Sequence, residues 1–374
     1  MKHKPRILVS VTNDLYTDQR VHKICCFLTD QGYEVTLIGR IRKNSLPLDR
    51  HYRTERMKLL FDRGPLFYAE YSFRLFLKLL FKRSDVLLSN DLDTLLPNYL
   101  VSKLRKKKLV YDSHEYFTEV PELVQRPKVQ RIWESIESFI FPKLSYIYTV
   151  NTSIAEKYNE KYGKKLYVVR NISPLWTPQH LKSKQELGIP ENKFILIFQG
   201  AGINVDRGGE EAVQAMQYID NAVLLFVGDG DVIPSLKQMV VSKNLQEKVL
   251  FFGKRPYQEM MNFTYHADLG LTLDKDTNLN YRFSLPNKVF DYMHTQTPIL
   301  ASDLVEVKKI VIGNDIGTLI SGHNPELLAK DIRAIMNNTE QLIRWKNNCL
   351  IVREKENWEK EVEKLSDFYP KQNG

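Results

Sequence analysis

The chain has 374 residues, which is long enough for two domains that each bury a core of their own. Its 43% hydrophobic and 26% charged residues are ordinary for a globular protein, and its three cysteines offer neither a disulfide framework nor metal-site spacing, which favours a reducing, cytoplasmic setting. The net charge of +9 predicts an anionic partner, and because no zinc spacing or RNA-binding strand accompanies it, a nucleotide or a membrane surface is favoured over nucleic acid.

The first half of the chain alternates apolar strands with amphipathic helices. A strand over 6–12, a helix over 18–32 and a strand over 34–39 form a βαβ unit, which predicts a parallel sheet. The helix is expected to bury Val21, Ile24, Cys25 and Leu28 on one face. The same alternation continues through the rest of this half. Further strands are predicted at 85–90, 108–113, 146–150 and 165–171, with helices over 95–104 and from about 129.

The second half repeats this alternation after a break at 171–180, where Pro174 and Pro178 interrupt regular structure. Its strands are predicted at 194–200, 222–230, 248–253, 269–273 and 298–302, and 356–372 reads as a final amphipathic helix. The fold class is therefore α/β, with two doubly wound domains. Ligands in such sheets bind at the carboxyl ends of the strands.

Glycine-containing loops follow three strands of the second half. In the loop with Gly200, Gly202 and Gly208, free backbone N–H groups suit a diphosphate, and Arg207 supplies a fixed positive charge. The spacing fits neither a dinucleotide nor a P-loop pattern, so a plain strand-to-helix turn remains open. The other two loops, weaker signals that also suit ordinary turns or exposed charge, contain Gly228 and Gly230, and Lys254.

The stretch YRFSLPNKVFDYMHTQTPILAS (281–302) indicates a helix that binds an anion. Ser284 is a plausible N-cap and Pro286 suits a first turn. Asn287 and Lys288 follow, so that free N–H groups and a cation would face the anion, and Asp291 would accept hydrogen bonds from a ribose. An amphipathic helix that buries its apolar residues and exposes a Lys–Asp pair remains the alternative.

Polar residues also follow three strands of the first half. His114 and Glu115 come after the strand at 108–113, and a histidine there can hydrogen-bond a sugar hydroxyl. The other acceptor-side candidates are Asp14, Asp18, Arg20, Asp91 and Asp93. Helix capping explains some of these carboxylates.

A long apolar helix is predicted over 66–83, with charges only at every fourth residue. Those charges exclude a membrane-spanning helix. A buried helix with one wet edge is the simpler interpretation. A membrane-touching face is the alternative, supported by the basic run 103–108, which would attract anionic lipid.

Taken in order, several stretches resemble the glycosyltransferases of family 4 over nearly the whole chain. They are TDQRVHKICCFLTDQGYEVTLIG, NDLDTLLP, LVYDSHEYF, YIYTVNTSIAEKY with VVRN, DRGGEEAVQAM, VGDGD, LPNKVFDYMHTQTPILAS and NWEKEVEKL. The resemblance implies the GT-B fold, in which two Rossmann-like domains face one another across a cleft. It implies an acceptor-binding domain at 1–172, a donor-binding domain at 173–350 and a C-terminal helix at 351–374 that returns to the first domain. It further implies transfer of a sugar from a UDP- or GDP-linked donor with retention at the anomeric carbon and without a metal.

The resemblance also assigns roles. Arg207 matches the basic residue of the family's diphosphate loop, Asp291 the second acid of the E-x7-E motif that holds the ribose, and His114 the histidine that contacts the transferred sugar. Two positions depart from the family: Phe283 replaces the first acid of E-x7-E, and Ala201 replaces an arginine. Lys288 is expected to supply the missing charge near the leaving group.

The sequence therefore predicts an enzyme, a retaining, hexosyltransferase-like glycosyltransferase. Its expected acceptor is a glycan or a lipid-linked saccharide, in polysaccharide or lipopolysaccharide synthesis, at the inner face of the cytoplasmic membrane. A nucleotide-sugar epimerase of the same fold remains open, as does a scaffold subunit that has lost catalysis, which Phe283 and Ala201 motivate.

Overall fold

The computed structural model describes residues 4–43 and 45–372, so the ends 1–3 and 373–374 of the predicted domains lie outside those residues. The chain divides into two compact units. The first combines Met1–Asn171 with Glu361–Gly374, and the second is Ile172–Lys360. The segment 351–374 was expected to return to the first domain. Its residues from Glu361 onwards belong to the first unit, and its residues before Glu361 belong to the second.

The first unit is built on a parallel sheet. Its strands are β1 (Arg6–Asp14), β2 (Glu34–Ile41), β3 (Arg53–Lys58), β4 (Val86–Asn90), β5 (Lys108–Ser113), β6 (Tyr146–Thr149) and β7 (Tyr167–Val168). They pair in parallel in the order β3-β2-β1-β4-β5-β6-β7. Strands β1, β4 and β5 are buried almost throughout, as expected where helices cover both faces of a sheet.

Helices connect these strands. They are α1 (Gln19–Asp30), α2 (Gly64–Phe81), α3 (Leu92–Arg105), α4 (Pro121–Val124), α5 (Pro127–Ile140) and α6 (Thr152–Tyr162), with 3-10 turns at Phe117–Glu119 and Phe141–Lys143. Right-handed crossovers place α1 on one face of the sheet and α2, α3 and α5 on the other, where α3 contacts both α2 and α5. Helix α1 buries the four residues predicted for its inner face. Within residues 4–43 and 45–372, no helix is both long and apolar enough to cross a bilayer.

The end of the chain packs on this first unit. Glu361 accepts hydrogen bonds from the Arg170 side chain at 2.7 and 3.0 Å, and the carbonyl of Phe368 accepts one from Lys108 Nζ at 2.7 Å. The Phe368 ring meets the Tyr148 ring edge-on at 5.2 Å. The 3-10 segment Val362–Asp367 thus belongs to the first unit through charge pairing and aromatic packing.

The second unit contains a parallel sheet of the same kind. Its strands are β8 (Phe194–Gly200), β9 (Ala222–Gly228), β10 (Val249–Gly253), β11 (Leu269–Thr272), β12 (Ile299–Ala301) and β13 (Gly317–Leu319), in the order β10-β9-β8-β11-β12-β13. Its helices are α7 (Lys184–Leu187), α8 (Gly209–Ala215), α9 (Ile233–Ser242), α10 (Tyr257–Tyr265), α11 (Leu279–Arg282), α12 (Lys288–His294), α13 (Val305–Val311), α14 (Pro325–Met336) and α15 (Thr339–Val352), with a 3-10 turn at Met216–Tyr218. Helix α16 (Trp358–Glu361) ends at the boundary between the units.

Helix α12 corrects one prediction. Its apolar residues Val289, Phe290 and Met293 are fully buried, as the amphipathic pattern indicated. The helix begins at Lys288, after Asn287, and no side chain caps it. Ser284 was expected to cap this helix, but its hydroxyl donates to the carbonyl of Tyr281 at 2.9 Å, because a separate short helix, α11, ends directly before it.

Candidate functional site

The second sheet has a crevice at its topological switch point. The chain winds outward in one direction from β8 through β9 to β10, and in the other direction from β11 through β12 to β13. The loop after β8 and the residues after β11 therefore meet where ligands bind in doubly wound sheets. Gly208 has φ +81°, and a Cβ there would collide with Leu273, so only glycine permits this close approach.

Arg207 and Asp274 join the two sides of this crevice. Arg207 Nη1 donates to Asp274 Oδ1 at 2.9 Å, and the guanidinium lies 4.2 Å from the centre of the Tyr281 ring. Asp274 is 1% exposed, and its Oδ2 has no hydrogen-bond partner within the described residues. The loop arginine predicted from the sequence is thus fixed in position by a carboxylate and an aromatic ring.

Lys288 enters the same crevice from α12 without a counter-ion. Its Nζ lies 4.4 Å from the centre of the Phe198 ring, and no carboxylate of residues 4–43 or 45–372 lies within ion-pair distance of it. Burial lowers the pKa of the Lys288 ammonium and so does nearby Arg207, while Asp274 raises it. An anion in the crevice would compensate this unpaired cation.

A polar cavity of about 430 Å³ adjoins the crevice at the ends of β8, β9 and β10. It is lined by Ala201, Asn204, Asp229, Gly230, Asp231 and Lys254. Gly200 and Gly228 pack backbone against backbone, since a Cβ on Gly228 would collide with the Gly200 carbonyl. The predicted residues of these loops are thus brought together; Gly202 and Lys254 are exposed beside the cavity.

Asp291 is held inside the second unit. It is 5% exposed, and Oδ1 accepts hydrogen bonds from Ser173 Oγ at 2.7 Å and Tyr257 Oη at 2.9 Å. Its Oδ2 accepts one from Gln199 Nε2 at 3.2 Å. A ribose would have to compete with these partners, so the ribose-binding role of Asp291 stays a prediction.

The residues that precede Lys288 have different surroundings. Asn287 is exposed, and its carbonyl accepts from Phe290 N at 3.0 Å, whereas Pro286 is half-buried and accepts from Val289 N at 3.1 Å. Phe283, at the position of the family's first acid, is 8% exposed at the end of α11.

The first sheet has its own switch point, between β1 and β4. Thr12 Oγ1 and Asp93 Oδ2 form a short hydrogen bond across it, and the other oxygen of Asp93 has no partner in the described part of the chain. Burial, together with the neighbouring charge of Asp91, raises the pKa of Asp93 to about 8. Asp93 is therefore a neutral carboxylic acid at pH 7.

Asp93→Asn is expected to stabilise the first unit at pH 8 more than at pH 5. The folded-state pKa lies above the unfolded value of about 3.9, so ionisation of Asp93 costs increasing stability as the pH rises through this window. Asparagine removes that cost while keeping a polar partner for Thr12. The measurement is the melting temperature of wild type and variant at both pH values; an equal change at both would show that Asp93 is already ionised at pH 5.

His114 lies between two carboxylates at the ends of β4 and β5. Its Nδ1 is 3.1 Å from Asp91 Oδ2, and its Nε2 is 3.2 Å from Asp112 Oδ2 and 3.1 Å from Asn90 Oδ1. Burial alone would lower the pKa of the imidazole, but the charges of Asp91 and Asp112 outweigh it and raise that pKa well above its usual value. Both ring N–H groups are thus occupied, and a hydrogen bond to a sugar hydroxyl requires one of these contacts to open.

Arg20 completes this network from α1. It donates to both oxygens of Asp112 at 3.0 and 2.8 Å, and their side chains are 3% and 0% exposed. Arg20 was expected on the acceptor side, but its contacts are those of a buried structural ion pair. Together, Arg20, Asp112, His114 and Asp91 form one charge network, which we call the strand-end network.

The remaining acceptor-side candidates separate into different roles. Asp18 caps α1 by accepting from Val21 N at 3.1 Å and also accepts from Asn13 Nδ2 at 3.0 Å. Asp14 hydrogen-bonds Ser45, and Glu115 lies half-buried directly after His114. Among residues 4–43 and 45–372, no group of three or more His, Cys, Asp or Glu side chains is arranged to hold a metal ion.

Sequence reasoning missed Asp274 and Tyr281 as partners of Arg207, and it left Asn90 and Asp112 out of the candidate site. Asp112 is the next-to-last residue of a buried strand, and Asp274 comes two residues after the end of another. The pattern that indicated His114, a polar residue at the carboxyl end of a strand, therefore applied to Asp112 and Asp274 too. The partner of each, however, comes from a distant part of the chain, which no local pattern shows.

The chain matches two families over most of its length: Glycosyltransferase Family 4 over residues 18–172 and Glycosyl transferases group 1 over residues 180–349. Among solved structures it is similar to a sucrose-phosphate synthase from Thermosynechococcus elongatus (TM-score 0.77, 18% identity, 98% of each chain covered). It is also similar to Anabaena Alr3699/HepE in complex with UDP and glucose (TM-score 0.72, 15% identity, 98% of this chain and 99% of that one). A third similar structure is WaaG, a glycosyltransferase involved in lipopolysaccharide biosynthesis (TM-score 0.73, 14% identity, 98% of this chain and 100% of that one). No curated protein matches the chain in sequence. At these identities, the structures establish the two-domain GT-B fold.

Proposed function

Because the chain belongs to the glycosyltransferases that join a family 4 domain to a group 1 domain, we propose that it moves a sugar from a nucleoside diphosphate sugar to an acceptor hydroxyl, with retention of anomeric configuration. The acceptor is a glycan or a lipid-linked saccharide of a cell-surface polysaccharide or lipopolysaccharide. The observation that carries this proposal is the unpaired Lys288 beside Arg207 at the switch point of the second sheet. The UDP complex of Alr3699/HepE and the lipopolysaccharide role of WaaG support the donor and acceptor classes.

The chemistry needs a stabilised leaving group. The bond between the anomeric carbon and the donor diphosphate breaks, and the two cations, Lys288 and Arg207, offset the charge that develops on that diphosphate. With retention, the acceptor oxygen attacks from the face that the diphosphate leaves. The acceptor proton then passes to an oxygen of the departing phosphate, since both ring nitrogens of His114 are already engaged by the carboxylates of Asp91 and Asp112.

The test is a thermal-shift panel of UDP, GDP, ADP, CMP and TDP. One nucleotide at 100 times its dissociation constant should stabilise the protein by about 2.7 kcal/mol. The matching nucleotide sugar is then incubated with candidate acceptors in the presence of EDTA. We expect acceptor-dependent nucleotide release without added metal, and a product whose anomeric coupling in NMR spectra equals that of the donor.

Two other results would replace the proposal. Turnover of the nucleotide sugar without any acceptor, giving an epimerised sugar, would identify an epimerase. Absence of a shift with every nucleotide and with every nucleotide sugar would identify a scaffold, in which Phe283 and Ala201 mark lost catalysis. An inverted anomer would leave a glycosyltransferase but overturn retention.

A further inference from the structure

The first sheet has a second edge, opposite to the one that holds the strand-end network. Since α2, α3 and α5 return from the carboxyl ends of parallel strands to the amino ends of the next, all three end at the amino edge of the sheet. There α3 ends at Arg105 and β5 begins at Lys108; the 3-10 turn after α5 ends at Lys143 and β6 begins at Tyr146. His114 follows the other end of β5.

A cavity of about 330 Å³ lies at this amino edge. Its lining includes Lys103, Lys106, Lys107, Lys108 and Lys143, together with Tyr146. No aspartate or glutamate lines it. The lining of the cavity thus concentrates positive charge from two separate segments of the chain.

Three of these lysines have no counter-ion. Lys107 Nζ lies 3.9 Å from Asp85, and Lys108 Nζ donates to the Phe368 carbonyl at 2.7 Å. Lys103, Lys106 and Lys143 are exposed and form no ion pair with the described residues. Instead, Lys103 Nζ lies 5.5 Å from the centre of the Tyr99 ring and Lys143 Nζ 3.1 Å from that of Phe139. These cations are available to an external anion.

Exposed apolar side chains lie on the three helices that end at this edge. On α2, Phe73, Leu77 and Phe81 recur every fourth residue and are 64%, 37% and 80% exposed. On α3, Leu104 is 66% exposed, and on α5, Phe139 is 58% exposed. The buried stripe of α2 packs inward at Phe67, Tyr71, Leu75 and Leu79, so this second stripe has no role in the core. The exposed side of α2 therefore carries an apolar stripe in addition to the charged residues predicted as its wet edge.

We propose that this surface docks on a bilayer containing anionic phospholipids. The docking surface consists of Lys103, Lys106 and Lys143 with Phe81, Leu104 and Phe139. The lysines bind headgroup phosphates, and the three apolar side chains enter the boundary between headgroups and acyl chains. A soluble polyanion or a nucleic acid would use the lysines but would gain nothing from the exposed Phe81 and Leu104. The proposal is independent of the sugar chemistry proposed above.

The experiment is flotation of the full chain with vesicles of phosphatidylcholine, with and without phosphatidylglycerol. We expect binding only to the anionic vesicles and a decrease of binding with salt. The variant Lys103→Gln/Lys106→Gln/Lys143→Gln should lose about 100-fold in partitioning, at about fivefold per lysine. Lys237→Gln/Lys330→Gln/Lys355→Gln, which removes the same charge from exposed positions of the second unit, should bind like wild type.

A second variant tests the apolar contribution. Phe81→Ser/Leu104→Ser should weaken vesicle binding without lowering the melting temperature, because both side chains are mostly exposed. If this variant binds the vesicles as wild type does while the lysine variant does not, the lysines bind phosphate groups alone and the proposed insertion of Phe81 and Leu104 is wrong. Loss of vesicle binding in the presence of soluble glycerol phosphate would then show that the site takes a free anion. Equal loss in both lysine variants would reduce the effect to net charge and overturn the proposal. Nucleotide thermal shifts should be unchanged in every variant, so a failure here is distinct from a failure of the proposed function.

Discussion

Replacing Asp112 by asparagine is expected to destabilise the first unit by about 3–5 kcal/mol, because Arg20 would remain buried without its counter-ion. Arg20 reaches both oxygens of Asp112, and neither side chain has appreciable contact with solvent. The same carboxylate also pairs with His114. An asparagine accepts one hydrogen bond at this position but carries no charge to balance two cations.

Hydrogen exchange of the full chain measures this effect locally. Protection in β1, β4 and β5 should fall in the Asp112→Asn variant, whereas the second unit provides an internal reference. Glu34→Gln is the matched control, since Glu34 pairs with Arg6 at 2.9 Å but both side chains are about one-third exposed, 33% and 30%. That control should cost less than about 1 kcal/mol. If the two variants lose equal protection, the strand-end network does not hold the first unit together.

The same network predicts a pH dependence. Burial would raise the pKa of Asp112, but Arg20 and His114 lower it overall, so its stabilising contribution is present above the unfolded value of about 3.9 and is lost as the pH falls through the lowered pKa. The pKa of His114 is raised, so its contribution is complete below about 6.5 and is lost as the pH rises through that raised value. Wild type should therefore be most protected between these limits, and Asp112→Asn should flatten the profile.

Replacing Lys288 by methionine is expected to lower affinity for a nucleoside diphosphate about 10- to 100-fold, as a lost charged hydrogen bond to phosphate costs about 1.5–3 kcal/mol. The loss of turnover should be larger, about 100- to 1,000-fold, because the charge on the leaving diphosphate increases in the transition state. Methionine keeps the length of the side chain and its contact with Phe198. Isothermal titration with the nucleotide identified by thermal shift, followed by the steady-state rate, measures both effects.

Two comparisons make this prediction specific to the phosphates. Affinity for the corresponding nucleoside, which has no phosphate, should be the same in wild type and Lys288→Met. Lys275→Met is the matched control, because Lys275 lies in the same unit but is neutralised by Glu211 at 2.7 Å.

Since burial lowers the pKa of Lys288, nucleotide affinity of wild type should also fall as the pH rises through that pKa, and this slope should be absent in Lys288→Met. A parallel loss of nucleoside binding would contradict a phosphate contact.

Much of the fold was predictable because its signals are local. Buried strands produce continuous apolar runs, and α1 produces a 3.6-residue apolar period that ends near a glycine, so the alternation of strands and helices follows from neighbouring residues alone. The helix that contains Asp291 was less predictable. Ser284 has the chemistry of an N-cap, but Leu279–Arg282 forms its own short helix, and the next helix begins only at Lys288.

The candidate site was predictable only in part. An acid, a histidine or a glycine loop after a buried strand indicates the ligand-binding edge, and that rule located His114, Asp93 and Arg207. It could not assign their contacts. Arg20 and Asp112 are separated by 92 residues, and Arg207 and Asp274 by 67, so only the folded sheets bring these charges together.

The sequence by itself determined the class of the protein: two parallel α/β domains, strand ends rich in polar residues and an excess of positive charge. These properties depend on composition and on spacing within one element. The tertiary structure decided which charges are neutralised and which remain free. Arg20 and Asp291 are occupied by partners, whereas Lys288, Lys103, Lys106 and Lys143 pair with no carboxylate of residues 4–43 or 45–372. Pairing depends on distances between elements, which the order of residues along the chain does not encode.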